Sequence, residues 1–172
     1  MKKIITLILA MILNISCTKA QDTQLSDETL NYSLTSTDNQ KITLKEIITQ
    51  NTGKNIVLEF WASWCGDCIK NMPNLKKLQK ENPDTKFIFI SFDKTPEAWK
   101  TGIEKHELIG DQLFVGENMK GNFGKSINLD WIPRYIVLDK KGKVVLYRAI
   151  EKDNEKINTL LKTLQTNKII QY

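Results

Sequence analysis

Histidine and cysteine are scarce in this chain of 172 residues: it holds one His, His106, and three Cys, Cys17, Cys65 and Cys68. A structural zinc site commonly needs two ligand pairs. Cys65 and Cys68 would make one, and no second pair exists. Covalent haem attachment requires a histidine directly after the second cysteine of a Cys-x-x-Cys, where Ile69 stands. Copper delivery calls for wider cysteine spacing and a distal histidine, and His106 falls at a helix end where a surface place is expected. No metal and no cofactor are therefore expected. Blocks of one charge are also missing. The chain carries 25 Lys and Arg against 20 Asp and Glu, and Lys76-Lys77, Lys140-Lys141-Lys143, Lys152 and Lys168 interleave with acids, which marks solvated helix faces and turns and excludes a nucleic-acid patch. Internal repeats are absent. The apolar run Ile4–Ile15 is too short to cross a bilayer comfortably as a helix.

That run does have a meaning at its position. Behind Met1-Lys2-Lys3 it reads as an export signal, and its removal takes the formal charge from +5 to +3. Cys17, preceded by Ser16 and followed by Thr18-Lys19-Ala20-Gln21, resembles the lipobox of bacterial lipoproteins. That resemblance implies lipidation of Cys17 and stable membrane attachment through two acyl chains. The competing reading is ordinary cleavage after Ala20, with no anchor. The expected organisation is a signal peptide over residues 1–16, a linker over 17–29 and one domain over 30–172. The expected location is exported, on the periplasmic side and membrane-anchored, where disulfides persist.

Within the domain, Tyr32-Ser33-Leu34 and Lys41-Ile42-Thr43-Leu44 flank Asp38-Asn39, a hairpin signal, and Leu44–Ile48 is a short helix candidate. The run Ile56–Trp61 and the run Phe87–Ile90 are continuous and rich in β-formers, as expected of strands covered on both faces of a parallel sheet. Met72, Leu75 and Leu78 predict a helix over 66–79, Pro96 opens another to Lys105, and Gln112–Val115 is a short strand. Tyr135–Leu138 and Val144–Tyr147 flank Asp139-Lys140-Lys141-Gly142 as a second hairpin. A helix over 154–164 closes the chain. Alternating strands and helices followed by a hairpin and helix predict an α/β fold, a mixed central sheet flanked by helices.

The stretch Glu59-Phe60-Trp61-Ala62-Ser63-Trp64-Cys65-Gly66-Asp67-Cys68, with Trp131-Ile132-Pro133 far downstream, resembles the thioredoxin superfamily. The N-terminal hairpin, the lipoprotein-like leader and the extra helix and strand over 95–116 further resemble its membrane-tethered TlpA/ResA type. The peroxiredoxin pattern Pro-x-x-x-Thr-x-x-Cys is absent. The resemblance implies a thioredoxin-like three-layer fold and a redox-active Cys65–Cys68 couple. It also implies a cis Pro133 beside the couple, and a substrate-facing rim at Trp64, Ile132 and Pro133. The partners it implies are disulfide-containing exported proteins, a membrane or soluble thiol donor of electrons, and the membrane itself. Reduction of exported disulfides is the expected activity; a disulfide-forming oxidant, or a redox-inactive binding or metal-chaperone module, are the alternatives.

The chemistry of the residues agrees with that expectation. A cysteine at a helix N-terminus is acidified by unpaired N–H groups and the helix dipole, so Cys65 is the expected nucleophile and Cys68, one turn in, the resolving thiol. Glu59, inside an apolar run, is the expected proton carrier, its pKa raised by burial. A place on a solvated sheet edge would remove that role.

Overall fold

The computed structural model describes residues 24–166. The leader over 1–16, Cys17 and the C-terminal residues 167–172 lie outside the described residues. The chain forms strands β1 (Ser33–Ser36), β2 (Lys41–Thr43), β3 (Ile56–Trp61), β4 (Lys86–Ser91), β5 (Asp111–Phe114), β6 (Arg134–Leu138) and β7 (Val144–Ala149). The helices are α1 (Asp27–Leu30), α2 (Leu44–Gln50), α3 (Gly66–Glu81), α4 (Pro96–His106), α5 (Asn122–Ser126) and α6 (Asn154–Thr166), with a 3-10 turn at Glu151–Asp153. All seven strands join one sheet in the order β2-β1-β5-β4-β3-β6-β7. β3, β4 and β5 run parallel, and β6, β7 and the β1–β2 hairpin are antiparallel to their neighbours. This is the mixed, helix-flanked thioredoxin-like architecture that the sequence predicts.

Strand β3 sits near the middle of the sheet, and every one of its residues is buried. Its unbroken apolar sequence is what a strand covered on both faces requires. Against it lies α3, whose buried Cys68, Met72, Leu75 and Leu78 follow helical spacing. Removing each of the three large side chains from water contributes about 1.5–3 kcal/mol, enough to hold the helix although Pro73 lacks the N–H for one of its backbone bonds. Helix α4 begins with Pro96 behind Thr95, whose side chain accepts from Ala98 N at 3.2 Å. It buries Trp99, stacked on Phe114 at 5.5 Å.

One segment departs from the expected organisation. Residues 24–29, expected as the end of a linker, fold onto the domain. Leu25 and Thr29 are buried, Ser26 caps α1, and the Thr29 hydroxyl donates to Ser126 Oγ at 2.9 Å. One apolar residue with one capping serine suffices for a single turn, a signal hidden by the polar surroundings. The glycine-rich stretch at 121–124 forms α5. A Cβ at Gly124 would lie 1.9 Å from the Met119 carbonyl oxygen, so only glycine admits that approach. The close packing sets Phe123 among the rings of Tyr32, Phe60 and Phe92.

Candidate active site

Where β3 ends, Ala62-Ser63-Trp64 carries the chain to the start of α3, and Cys65 is the residue that caps that helix. Its sulfur accepts from Cys68 N at 3.1 Å, taking up one of the orphan N–H groups of the first turn. Cys65 and Cys68 are joined as a disulfide, S–S 2.07 Å. Access differs between them: Cys65 is 6 % exposed and Cys68 0 %. The Ile132 carbonyl oxygen lies 3.6 Å from Cys65 Sγ. In the disulfide this is a contact without a proton, and on reduction the thiol can donate to that oxygen. The Ile132–Pro133 bond is cis, and both residues are buried. Beside them Trp64 and Trp131 are 53 % and 57 % exposed, an apolar surface on a rim that otherwise buries its large side chains.

Glu59 is 1 % exposed, in the centre of the sheet and away from any solvated edge. The β3–β6 register sets it directly opposite Tyr135. Residues paired across antiparallel strands project to one face, and the Tyr135 hydroxyl donates to Glu59 Oε1 at 3.2 Å. Tyr135 in turn accepts from Asn71 Nδ2 at 2.7 Å. Asn71 stands three residues after Cys68, on the same face of α3. Glu59 Oε2 has no hydrogen-bond partner among the described residues. Burial pushes the Glu59 carboxyl up to about 8, and the Tyr135 hydrogen bond opposes that rise. Tyr135 itself is held well above its ordinary value, by its own burial and then by the nearby Glu59. The phenol is therefore a donor at every working pH.

A family model described as Redoxin matches residues 18–164. The chain belongs to the Redoxin family. Its relatives include the thiol-disulfide oxidoreductase ResA of Bacillus thuringiensis subsp. konkukian, 27 % identical over 149 residues, which span 86 % of this chain and 82 % of that one. The thiol:disulfide interchange protein DsbE of Haemophilus influenzae is 32 % identical over 108 residues, 62 % of this chain and 56 % of its own. Among solved structures, a thiol-disulfide oxidoreductase from Bacteroides fragilis NCTC 9343 superposes with a TM-score of 0.63 at 28 % identity, covering 75 % of this chain and 96 % of that one. This Redoxin-family chain is a thioredoxin-like thiol-disulfide oxidoreductase of ResA-like type.

The Redoxin fold here also uses residues that sequence reading did not single out. Asp93, buried two residues past β4, receives the Ser63 backbone N–H at 3.1 Å, the Ser63 hydroxyl at 2.6 Å and the Ser91 hydroxyl at 2.8 Å. It pins the loop that delivers Trp64 and Cys65. Its only sequence signal was an acid directly after a buried strand. Tyr135 read simply as a strand residue, and Asn154 as a helix start. Asp130 accepts from Arg134 Nε at 3.1 Å and also from the Arg148 guanidinium, tying the residue after Pro133 to β7. Among the described residues no three His, Cys, Asp or Glu side chains converge as a metal-binding group. No helix among them is long and apolar enough to cross a membrane.

Proposed function

We propose that this oxidoreductase reduces disulfides of exported proteins, with Cys65 as nucleophile, Cys68 as resolving thiol and Glu59 as proton carrier. The observation that carries the assignment is the asymmetry of the pair: Cys65 caps α3, accepts an N–H and retains some access, while Cys68 is sealed. In the reduced protein the Cys65 thiolate attacks one sulfur of a substrate disulfide, forming a mixed disulfide and releasing one substrate thiolate. Cys68 then attacks Cys65 Sγ, which closes the Cys65–Cys68 disulfide and releases the second substrate thiolate. Two electrons pass from the dithiol to the substrate. Glu59 takes the proton of Cys68, and in the oxidised protein at neutral pH its raised pKa keeps that proton in place. A thiol donor returns the couple to the dithiol. Trp64, Ile132 and Pro133 form the surface against which the substrate segment lies. Asp67, beside the thiols and half exposed, opposes the thiolate and favours the reducing direction. The leader over 1–16 directs export, and lipidation of Cys17 tethers the domain to the membrane.

The test is covalent trapping. Cys68→Ser incubated with a disulfide-bonded protein should accumulate a mixed disulfide that survives non-reducing gels, whereas Cys65→Ser should neither reduce the substrate nor form the adduct. An adduct on Cys65→Ser alone reverses the assignment. Equilibration of the wild type in glutathione buffers gives the direction, and a couple more oxidising than glutathione overturns the reductant reading.

A further inference from the structure

A hydroxyl has one proton to give and two lone pairs, so whether Tyr135 donates to Glu59 or accepts from it depends on the group behind it. That group is Asn71, and its orientation is fixed by its own neighbours. Asn71 Oδ1 accepts from Asn154 Nδ2 at 2.7 Å and from Asn74 Nδ2 at 3.2 Å. Turning the amide over would set an NH2 against two other NH2 groups. Asn154 is fixed in the same way, because its Nδ2 also donates to the Glu151 carbonyl oxygen at 2.6 Å. Asn71 must therefore direct Nδ2 at the Tyr135 oxygen, and the phenolic proton has Glu59 Oε1 as its acceptor.

We propose that Tyr135 is the positioning residue of Glu59. An ordered chain of donors running from Asn154 and Asn74 through Asn71 to the Tyr135 hydroxyl holds Oε1 as an acceptor and so assigns the exchangeable proton of the carboxyl to Oε2. This rests on the reading of Glu59 as the proton carrier and adds which oxygen carries. A proton on Oε1 would take up one of the lone pairs the Tyr135 hydroxyl draws on, whereas Oε2 has no partner among the described residues and can take a proton without disturbing that hydrogen bond. The chain ends at solvent: Asn71, Asn74 and Asn154 line an open cleft of about 530 Å³ together with Asp67 and Lys70. The groups bordering Glu59 are few. Tyr135 faces it from β6, Phe89 is its register partner in β4, and Glu151 acts on Tyr135 from the 3-10 turn; the cysteines at the start of α3 do not titrate while bonded.

A donor held on Oε1 favours the carboxylate, so Tyr135 lowers the pH at which Glu59 releases its proton. The experiment is a carbon-13 titration of the glutamate side-chain carboxyls in the oxidised full-length chain, with the Glu59 signal assigned by its loss in Glu59→Gln. Tyr135→Phe keeps the ring and should raise the Glu59 midpoint by about one to two pH units, the range for a hydrogen bond to a charged group. Asn71→Leu should raise it too, by less, and should add nothing in the Tyr135→Phe background. An unmoved or lowered midpoint in Tyr135→Phe overturns the proposal, and so does an Asn71→Leu shift that persists without the hydroxyl. The proton-carrier reading fails separately, through unchanged turnover in Glu59→Gln, and the titration does not depend on that outcome.

Discussion

Replacing Glu59 with glutamine should change how stability depends on pH, and the size of the effect follows from burial. In the folded chain the carboxyl titrates near 8, against an ordinary value of 4.5. Between those two values the folded protein holds a proton that the unfolded chain has released. Stability therefore falls as pH rises, starting near 4.5 and levelling off above 8. Each unit of difference is worth ~1.4 kcal/mol, so the loss reaches ~3 kcal/mol at pH 7 and ~5 kcal/mol above pH 8. Against marginal stabilities of about 5–15 kcal/mol this is a large fraction. In Glu59→Gln the titrating group is gone, and that slope should vanish. Its absolute stability is the poorer readout, because the new amide places an NH2 where Oε2 has no partner among the described residues, which costs about 1–3 kcal/mol. The assay is urea denaturation of the oxidised forms of both proteins from pH 5 to pH 8.5. The difference between them should grow by several kcal/mol in favour of the variant. A difference that stays constant across that range means that Glu59 ionises normally, and the proton-carrier argument goes with it.

Asp67, with its side chain half exposed and 4.0 Å from Lys70, should act weakly through solvent. Asp67→His is expected to lower the Cys65 pKa by about half a unit and to raise the redox potential by about 15 mV. Thiolate absorbance titration paired with glutathione equilibration checks this, and an unchanged or raised pKa refutes it. Two glycines should respond oppositely to alanine. At Gly102 the new Cβ would lie 2.7 Å from Ser63 Cβ and 3.2 Å from the Trp61 ring. Asp93 keeps Ser63 from yielding, so overpacking of about 1–3 kcal/mol should exceed the helix gain of about 1 kcal/mol. At Gly66 nothing lies within 4 Å, and alanine should stabilise by about 0.4–1 kcal/mol. Thermal melts of the two variants that move in the same direction would contradict the packing described around Ser63.

Much of the molecule follows from local chemistry in the chain. Ile56–Trp61 is apolar without interruption because β3 is covered on both faces, and α3 can be read from Met72, Leu75 and Leu78 because one helix face supplies the core. The spacing of Cys65 and Cys68 suits a disulfide, a metal or a haem alike, and it was the surrounding motif, through its resemblance to the thioredoxin superfamily, that implied a redox couple. The acid in the middle of β3 announced its own burial, and its raised pKa follows from that alone. What surrounds that acid was not legible. Tyr135 and Asn71 are 64 residues apart, and they meet only because the β3–β6 register sets Tyr135 opposite Glu59 while α3 lies across the same face. A shift of one residue in that register would turn Tyr135 to the other side of the sheet. Asp93 reaches Ser63 across 30 residues for the same kind of reason, through the pairing of β3 with β4. Side-chain periodicity says which residues are buried; which polar groups meet inside depends on register and packing, and here these decide which oxygen of Glu59 receives the Tyr135 hydroxyl and which is left without a partner among the described residues.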